Sequence, residues 1–135
     1  MEVRCGVDIE HMANVRLLLE SSPHAAERFF TDGELQYCNQ MADPHKHLTG
    51  RFSAKEALFK VIGRPWPGMN WKQAEVQVDA QRAPSFRFEK ELATVLQNMG
   101  LISISLSISY SHGFALAFVT LLFAPQTAVE VHKCP

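Results

Sequence analysis

An α+β fold is predicted by three features of this 135-residue chain: a short apolar run at the N-terminus, a central block of helix-period segments, and a C-terminal stretch alternating serine with apolar residues. Hydrophobic residues make up 47% of the chain, enough at this length for one core and hence one domain. The expected domain covers residues 1–125, with 126–135 as a loose tail.

Val3 to Ile9 is compact and apolar with Gly6 inside, and reads as a short buried strand. A helix is expected from about His11 to Glu20, where Met12, Val15, Leu18 and Leu19 recur at helical spacing, until Ser21, Ser22 and Pro23 break it. Thr31 and Glu34 form a capping-box pattern that opens a helix from about Asp32 to Gln40. Asp43 before Pro44 is a second cap, with proline at the first helical position. The long helix it opens draws its apolar side from Leu48, Phe52, Leu58, Phe59 and Ile62, and Gly63 ends it.

The stretch Arg64-Pro-Trp-Pro-Gly-Met-Asn70 should be an ordered loop. Ala74 to Val78 and Ser85 to Phe88 suggest a hairpin around Pro84, and Glu89 to Met99 a helix stopped at Gly100. From Ile102 on, Ser103, Ser105, Ser107, Ser109 and Ser111 take one parity, while Ile102, Ile104, Leu106, Ile108 and Tyr110 take the other. That is a strand with one apolar face. Phe114 to Phe123 is its antiparallel partner across a tight His112-Gly113 turn.

A formal net charge of −1 provides no broad basic field for nucleic acid. Cys5, Cys38 and Cys134 stand far apart, in neither a disulfide nor a zinc spacing. The N-terminus lacks the pattern of a signal peptide, and Phe114 to Ala124 is too short to span a bilayer. A soluble protein of the reducing cytoplasm is expected, with no nucleic-acid or membrane partner.

Three clusters could carry chemistry. In Gly6-Val-Asp8-Ile-Glu10 the two carboxylates sit two apart on a strand, so they share a face and could reach one magnesium ion. The ordinary alternative is a strand whose acids cap the next helix. In Arg51-Phe-Ser-Ala-Lys55-Glu56-Ala-Leu-Phe-Lys60, Glu56 and Lys60 share a helix face; that spacing also describes a surface ion pair, but three cations around one acid on an apolar helix suit a metal with a phosphorylated ligand. Ser109-Tyr-Ser111-His112 ends the striped strand, where a histidine could donate to phosphate or serve simply as a turn residue.

Together, and in this order, the three segments resemble the signature of the phosphopantetheinyl transferase superfamily. Phe29-Phe-Thr31 with Glu34 adds to the likeness, which runs from about Val3 to Val119. The length matches the short, holo-acyl-carrier-protein synthase type, with one copy of the unit. The resemblance implies a fold with an antiparallel sheet and a long packed helix, assembled as a homotrimer with active sites between neighbours. It implies transfer of 4′-phosphopantetheine from coenzyme A to a serine of an apo acyl carrier protein, with Mg2+ as cofactor and 3′,5′-ADP released. Carried over by residue, Asp8, Glu56, Lys60 and His112 form the catalytic set, and Asp8 and Glu56, with Glu10, bind the metal. Arg51, Lys55, Lys60, Pro84, Ser111 and His112 line the coenzyme A groove. Either Glu56 or a water on the metal takes the serine proton.

The chain departs from the pattern at three places. Short members more often have a non-acidic residue at the position of Glu10. Asn14 and His24 stand where arginines would face the carrier, although Arg16 and Arg28 remain. Arg82-Ala-Pro84 replaces a glycine-x-proline turn. Two alternatives are a transferase domain cut from a larger synthase, and a non-catalytic carrier-binding module; the presence of Asp8, Glu56 and Lys60 argues against the latter.

Overall fold

The computed structural model describes residues 1–63 and 68–125. The predicted tail and residues 64–67 of the predicted loop lie outside the described residues.

Strand β1 (Glu2–His11) opens the chain and pairs antiparallel with the last strand, β5 (Phe114–Phe123), from Glu2 opposite Phe123 to His11 opposite Phe114. The serine-striped strand β4 (Leu101–Ser111) takes the other side of β5, giving the order β1-β5-β4. His112 and Gly113, with φ of 50° and 77°, make the tight turn between β4 and β5, the conformation that fits the twist of a two-residue hairpin. Only alternate residues of β1 are buried, so the predicted buried strand is in fact covered on one face: Gly6 and Asp8 face inward while Val3, Val7 and Ile9 are exposed. A register shift between Leu101 and Ser103 turns Ile102 out of the apolar face to which parity had assigned it.

Helix α1 (Met12–Glu20) follows β1 directly. Its cap is His11, whose Nδ1 accepts from the Ala13 amide at 3.2 Å, so neither Asp8 nor Glu10 serves that purpose. A short helix α2 (Ala25–Phe29), unforeseen because one turn has too few residues to establish a period, leads into α3 (Asp32–Asn39). The Thr31–Glu34 capping box is formed in both directions. The long helix α4 (Pro44–Ile62) has its predicted bounds, with Asp43 accepting from the Lys46 amide and Gly63 leaving at φ 90°.

α4 lies across the inner face of the three-stranded sheet, on Ala117, Val119 and Leu121 of β5. Its approach to β1 requires a glycine: a Cβ on Gly6 would collide with the Ala57 carbonyl oxygen and the Val61 side chain. A 3-10 turn (Trp71–Gln73) precedes a two-stranded sheet of β2 (Ala74–Val78) and β3 (Pro84–Phe88), then α5 (Lys90–Asn98). The β2–β3 connection centres on Asp79, whose Oδ1 accepts from the Gln81 and Ala83 amides, both at 2.9 Å. Pro84 therefore begins a strand opposite Val78 instead of marking the turn. A second core under α1–α3 holds Val15, Phe30, Cys38 and Phe52, with Phe52 stacked on Trp71 at 5.3 Å.

Candidate active site

Gly6, Asp8 and Glu10 alternate onto the face of β1 that meets α4. Asp8 is held by α4 at both of its functional ends. Ser53 Oγ donates to the Asp8 backbone carbonyl at 2.9 Å, while Lys60 Nζ donates to the carboxylate Oδ1 at 2.8 Å and to the Val7 carbonyl at 3.3 Å. The second carboxylate oxygen, Oδ2, is buried without a hydrogen-bond partner. An unpartnered buried anion oxygen is costly and calls for a donor or a cation.

Glu10 and Glu56 flank this carboxylate. Burial, then the neighbouring Asp8, then the charge of Glu56 push the Glu10 carboxyl up to about 7, against a smaller pull from Lys60. Burial and the Asp8 charge likewise raise Glu56. Lys60 is raised in turn, chiefly by its hydrogen bond to Asp8. Among the described residues, no three or more His, Cys, Asp or Glu side chains are already grouped as a metal ion would require. The donor chemistry nevertheless fits a hard divalent cation: the available donors are oxygens, one of them has no partner, and burial together with neighbouring negative charge disfavours ionisation of Glu10 and Glu56.

The other predicted residues occupy two further places. Arg51 is buried on α4, with its guanidinium 4.4 Å from the centre of the Tyr37 ring, Nη1 3.4 Å from the His47 carbonyl, and Nε buried without a partner. It shares a small cleft of about 120 Å³ with Pro84, Arg82, His47 and Tyr110. Arg82 sits there at φ 63°, a left-handed conformation in which glycine would be unstrained, as the resemblance leads one to expect. Ser111 and His112 are hydrogen-bonded to each other at 2.7 Å and border a groove of about 330 Å³ with Ile9, Phe114 and Leu116. Ile9 points away from α4, so within one chain this groove lies on the opposite face of the sheet from Asp8.

Lys55 is a correction to the sequence reading. It does not line a groove: the side chain is fully buried, and its three protons go to Glu34 Oε1 at 2.5 Å, the Phe29 carbonyl at 2.6 Å and the Trp71 carbonyl at 3.2 Å. Burial lowers its pKa and Glu34 opposes the shift. The helix turns Lys55 toward α3 and the 3-10 turn, while Glu56 and Lys60 turn toward β1.

Residues 4–119 match the family model of the 4′-phosphopantetheinyl transferase superfamily. The chain belongs to that superfamily. Within it, this transferase is an enzyme of the holo-[acyl-carrier-protein] synthase type. A holo-[acyl-carrier-protein] synthase from Caldanaerobacter subterraneus subsp. tengcongensis is 32% identical over 87% of this chain and 92% of its own. Among solved structures, the holo-[acyl-carrier-protein] synthase of Neisseria meningitidis superposes with a TM-score of 0.80 at 30% identity, covering 88% of this chain and 97% of that one. The ACPS–CoA complex of Chronobacterium ammoniagenes reaches 0.83 at 25% identity, covering 93% and 100%.

Two residues of this transferase gain importance only from the structure. Glu34 was legible as half of a capping box, but its Oε2 also accepts from the Val76 amide at 3.0 Å, so one carboxylate joins α3, α4 and β2. Ser53 lay inside a recognised motif without a role, since nothing in linear spacing says that its hydroxyl meets the backbone of β1.

Proposed function

We propose that this transferase moves the 4′-phosphopantetheine group of coenzyme A to a serine hydroxyl of an apo acyl carrier protein, with Mg2+ required and 3′,5′-ADP released. The domain that does so spans residues 1–125. The observation that carries the reading is the Asp8 carboxylate, with one oxygen on Lys60, the other buried and unpartnered, and Glu10 and Glu56 beside it.

Asp8, Glu56 and Glu10 hold the metal, which when bound supplies Lewis-acid and charge-neutralising chemistry at the diphosphate. Lys60, whose side chain is about half exposed, offers positive charge to the same diphosphate. The serine oxygen forms a new bond to the phosphorus that carries the pantetheine arm. The bond from that phosphorus to the bridging oxygen breaks, and the leaving nucleotide keeps the electron pair. The serine proton passes to Glu56 or to water.

Ser111 and His112 contact coenzyme A from a neighbouring copy, and Arg51 and Pro84 contribute from their cleft. The support for a shared site is the division between faces: carboxylates on one side of the sheet, Ser111 and His112 on the other. The face bearing His112 exposes Val7, Ile9, Phe114, Leu116 and Phe118, an apolar surface suited to a second copy, and a closed ring of three supplies each site from two chains. The enzyme works in the cytoplasm, where coenzyme A and apo-carriers are available.

The test is incubation of the protein with coenzyme A, Mg2+ and several apo-carriers, followed by mass analysis. Gain of one phosphopantetheine on the carrier, dependent on Mg2+ and accompanied by 3′,5′-ADP, is expected; unmodified carriers throughout would refute the reading. A monomer fully active at nanomolar dilution would refute the shared site.

A further inference from the structure

We infer that Ser53 is a positioning residue for the metal carboxylate Asp8, an inference that rests on the proposed role of Asp8. Ser53 is fully buried, and its hydroxyl donates to the backbone carbonyl of Asp8 across 45 residues of sequence at 2.9 Å. No other side-chain hydroxyl of α4 bonds to β1 among the described residues: Thr49 bonds back to the His45 carbonyl within its own helix.

The geometry explains why one hydroxyl has leverage here. Successive turns of α4 grip β1. Ser53 bonds the Asp8 carbonyl, the Ala57 carbonyl lies against Gly6, and Lys60 bonds the Asp8 carboxylate and the Val7 carbonyl. Lys60 holds the carboxylate by a flexible and half-exposed arm. Ser53 holds the main chain to which that carboxylate is attached, by a short side chain with one rotatable carbon–carbon bond. With the backbone held by Ser53 and Oδ1 held by Lys60, Oδ2 is the oxygen left without a partner. Loss of a side chain that orients a ligand from outside the coordination sphere typically costs about 10–100-fold in metal affinity or activity.

The test measures Mn2+ binding by electron paramagnetic resonance, with coenzyme A present and no carrier protein, so that no turnover is involved. Four proteins are compared: wild type, Ser53→Ala, Asp8→Asn, and Leu96→Val, a core variant in α5 remote from the β1–α4 contact. Ser53→Ala is expected to weaken Mn2+ binding by about tenfold, the lower end for an outer-sphere partner, and Leu96→Val to leave it unchanged even though it lowers the melting temperature. Wild-type Mn2+ affinity in Ser53→Ala would overturn the inference, as would equal weakening in Leu96→Val, which would mean that general loosening is the cause. If Ser53→Ala does not fold, Ser53→Cys, which keeps a side chain of similar reach but a weaker donor, is read by the same criteria. Asp8→Asn separates the two levels. If it binds Mn2+ as wild type does, the assignment of Asp8 itself fails and this inference with it; if it loses binding while Ser53→Ala does not, only the role of Ser53 fails.

Discussion

Lys55 and Lys60 belong to the same helix and each meets a carboxylate, yet they sit in opposite physical situations. The Lys55–Glu34 pair is sealed from solvent; every ammonium proton has an acceptor, and both carboxylate oxygens are occupied by Lys55 and by amides of Thr31 and Val76. The Lys60–Asp8 pair is half open, with a half-exposed lysine side chain and an unpartnered carboxylate oxygen. A closed pair has nothing left to offer a ligand and acts as a joint between elements. An open pair has unspent bonding capacity, which marks a site that awaits a third party.

The contrast breaks most sharply if the open pair proves dispensable. Asp8→Ala and Glu56→Ala should each lower transfer by about a thousandfold or more, since the several kcal/mol of charge stabilisation from a lost metal correspond to tenfold per 1.4 kcal/mol. The fold should persist in both. Turnover at saturating Mg2+ and circular dichroism check this, and near-normal turnover would mean that the ligands are other carboxylates.

The closed pair should show the reverse pattern. Lys55→Met strands the Glu34 charge in the interior and should cost about 3–5 kcal/mol, as broken buried pairs do. Lys60→Met should cost less, about 1 kcal/mol, because solvent reaches the ammonium and screens the pair, while lowering turnover. Urea denaturation of both variants, with rates measured on whatever remains folded, tests the contrast. Equal stability losses would erase the distinction between joint and site.

The smallest effect concerns Glu10. A carboxyl raised from 4.5 to about 7 on folding takes up a proton between those values, so the metal-free protein should lose stability as pH rises through that window. Melting temperatures from acidic to mildly alkaline pH should fall without Mg2+, fall less with it, and flatten in Glu10→Gln. The same variant should raise the Mg2+ concentration needed for half-maximal rate, with a smaller change at saturation. An unchanged Mg2+ midpoint would remove Glu10 from the site.

Much of this was legible wherever the signal was local. α4 begins and ends as predicted because Asp43, Pro44 and Gly63 act on their own neighbours, and the serine stripe of β4 reports its two faces by parity alone. Asp8 with Glu10, and Glu56 with Lys60, were legible as two same-face pairs from strand and helix periods, and only the family resemblance joined the pairs. Lys55 was not, since the residue beside Glu56 is rotated about a quarter turn around the helix and only tertiary packing says what lies there. The β-bulge that exposes Ile102 and the one-turn helix α2 leave no periodic trace of their own.

Gly6 carries a consequence for how this sequence can drift. Its hydrogen occupies the space between β1 and α4 where even a methyl group meets a carbonyl, so position 6 has no neutral neighbour in sequence space. Any side chain there must lift the strand from the helix, and the strand bears Asp8 two residues on. A lineage exploring substitutions at this position would therefore lose the chemistry by displacement while still keeping much of the protein folded. Selection on activity would then hold glycine more tightly than selection on solubility alone.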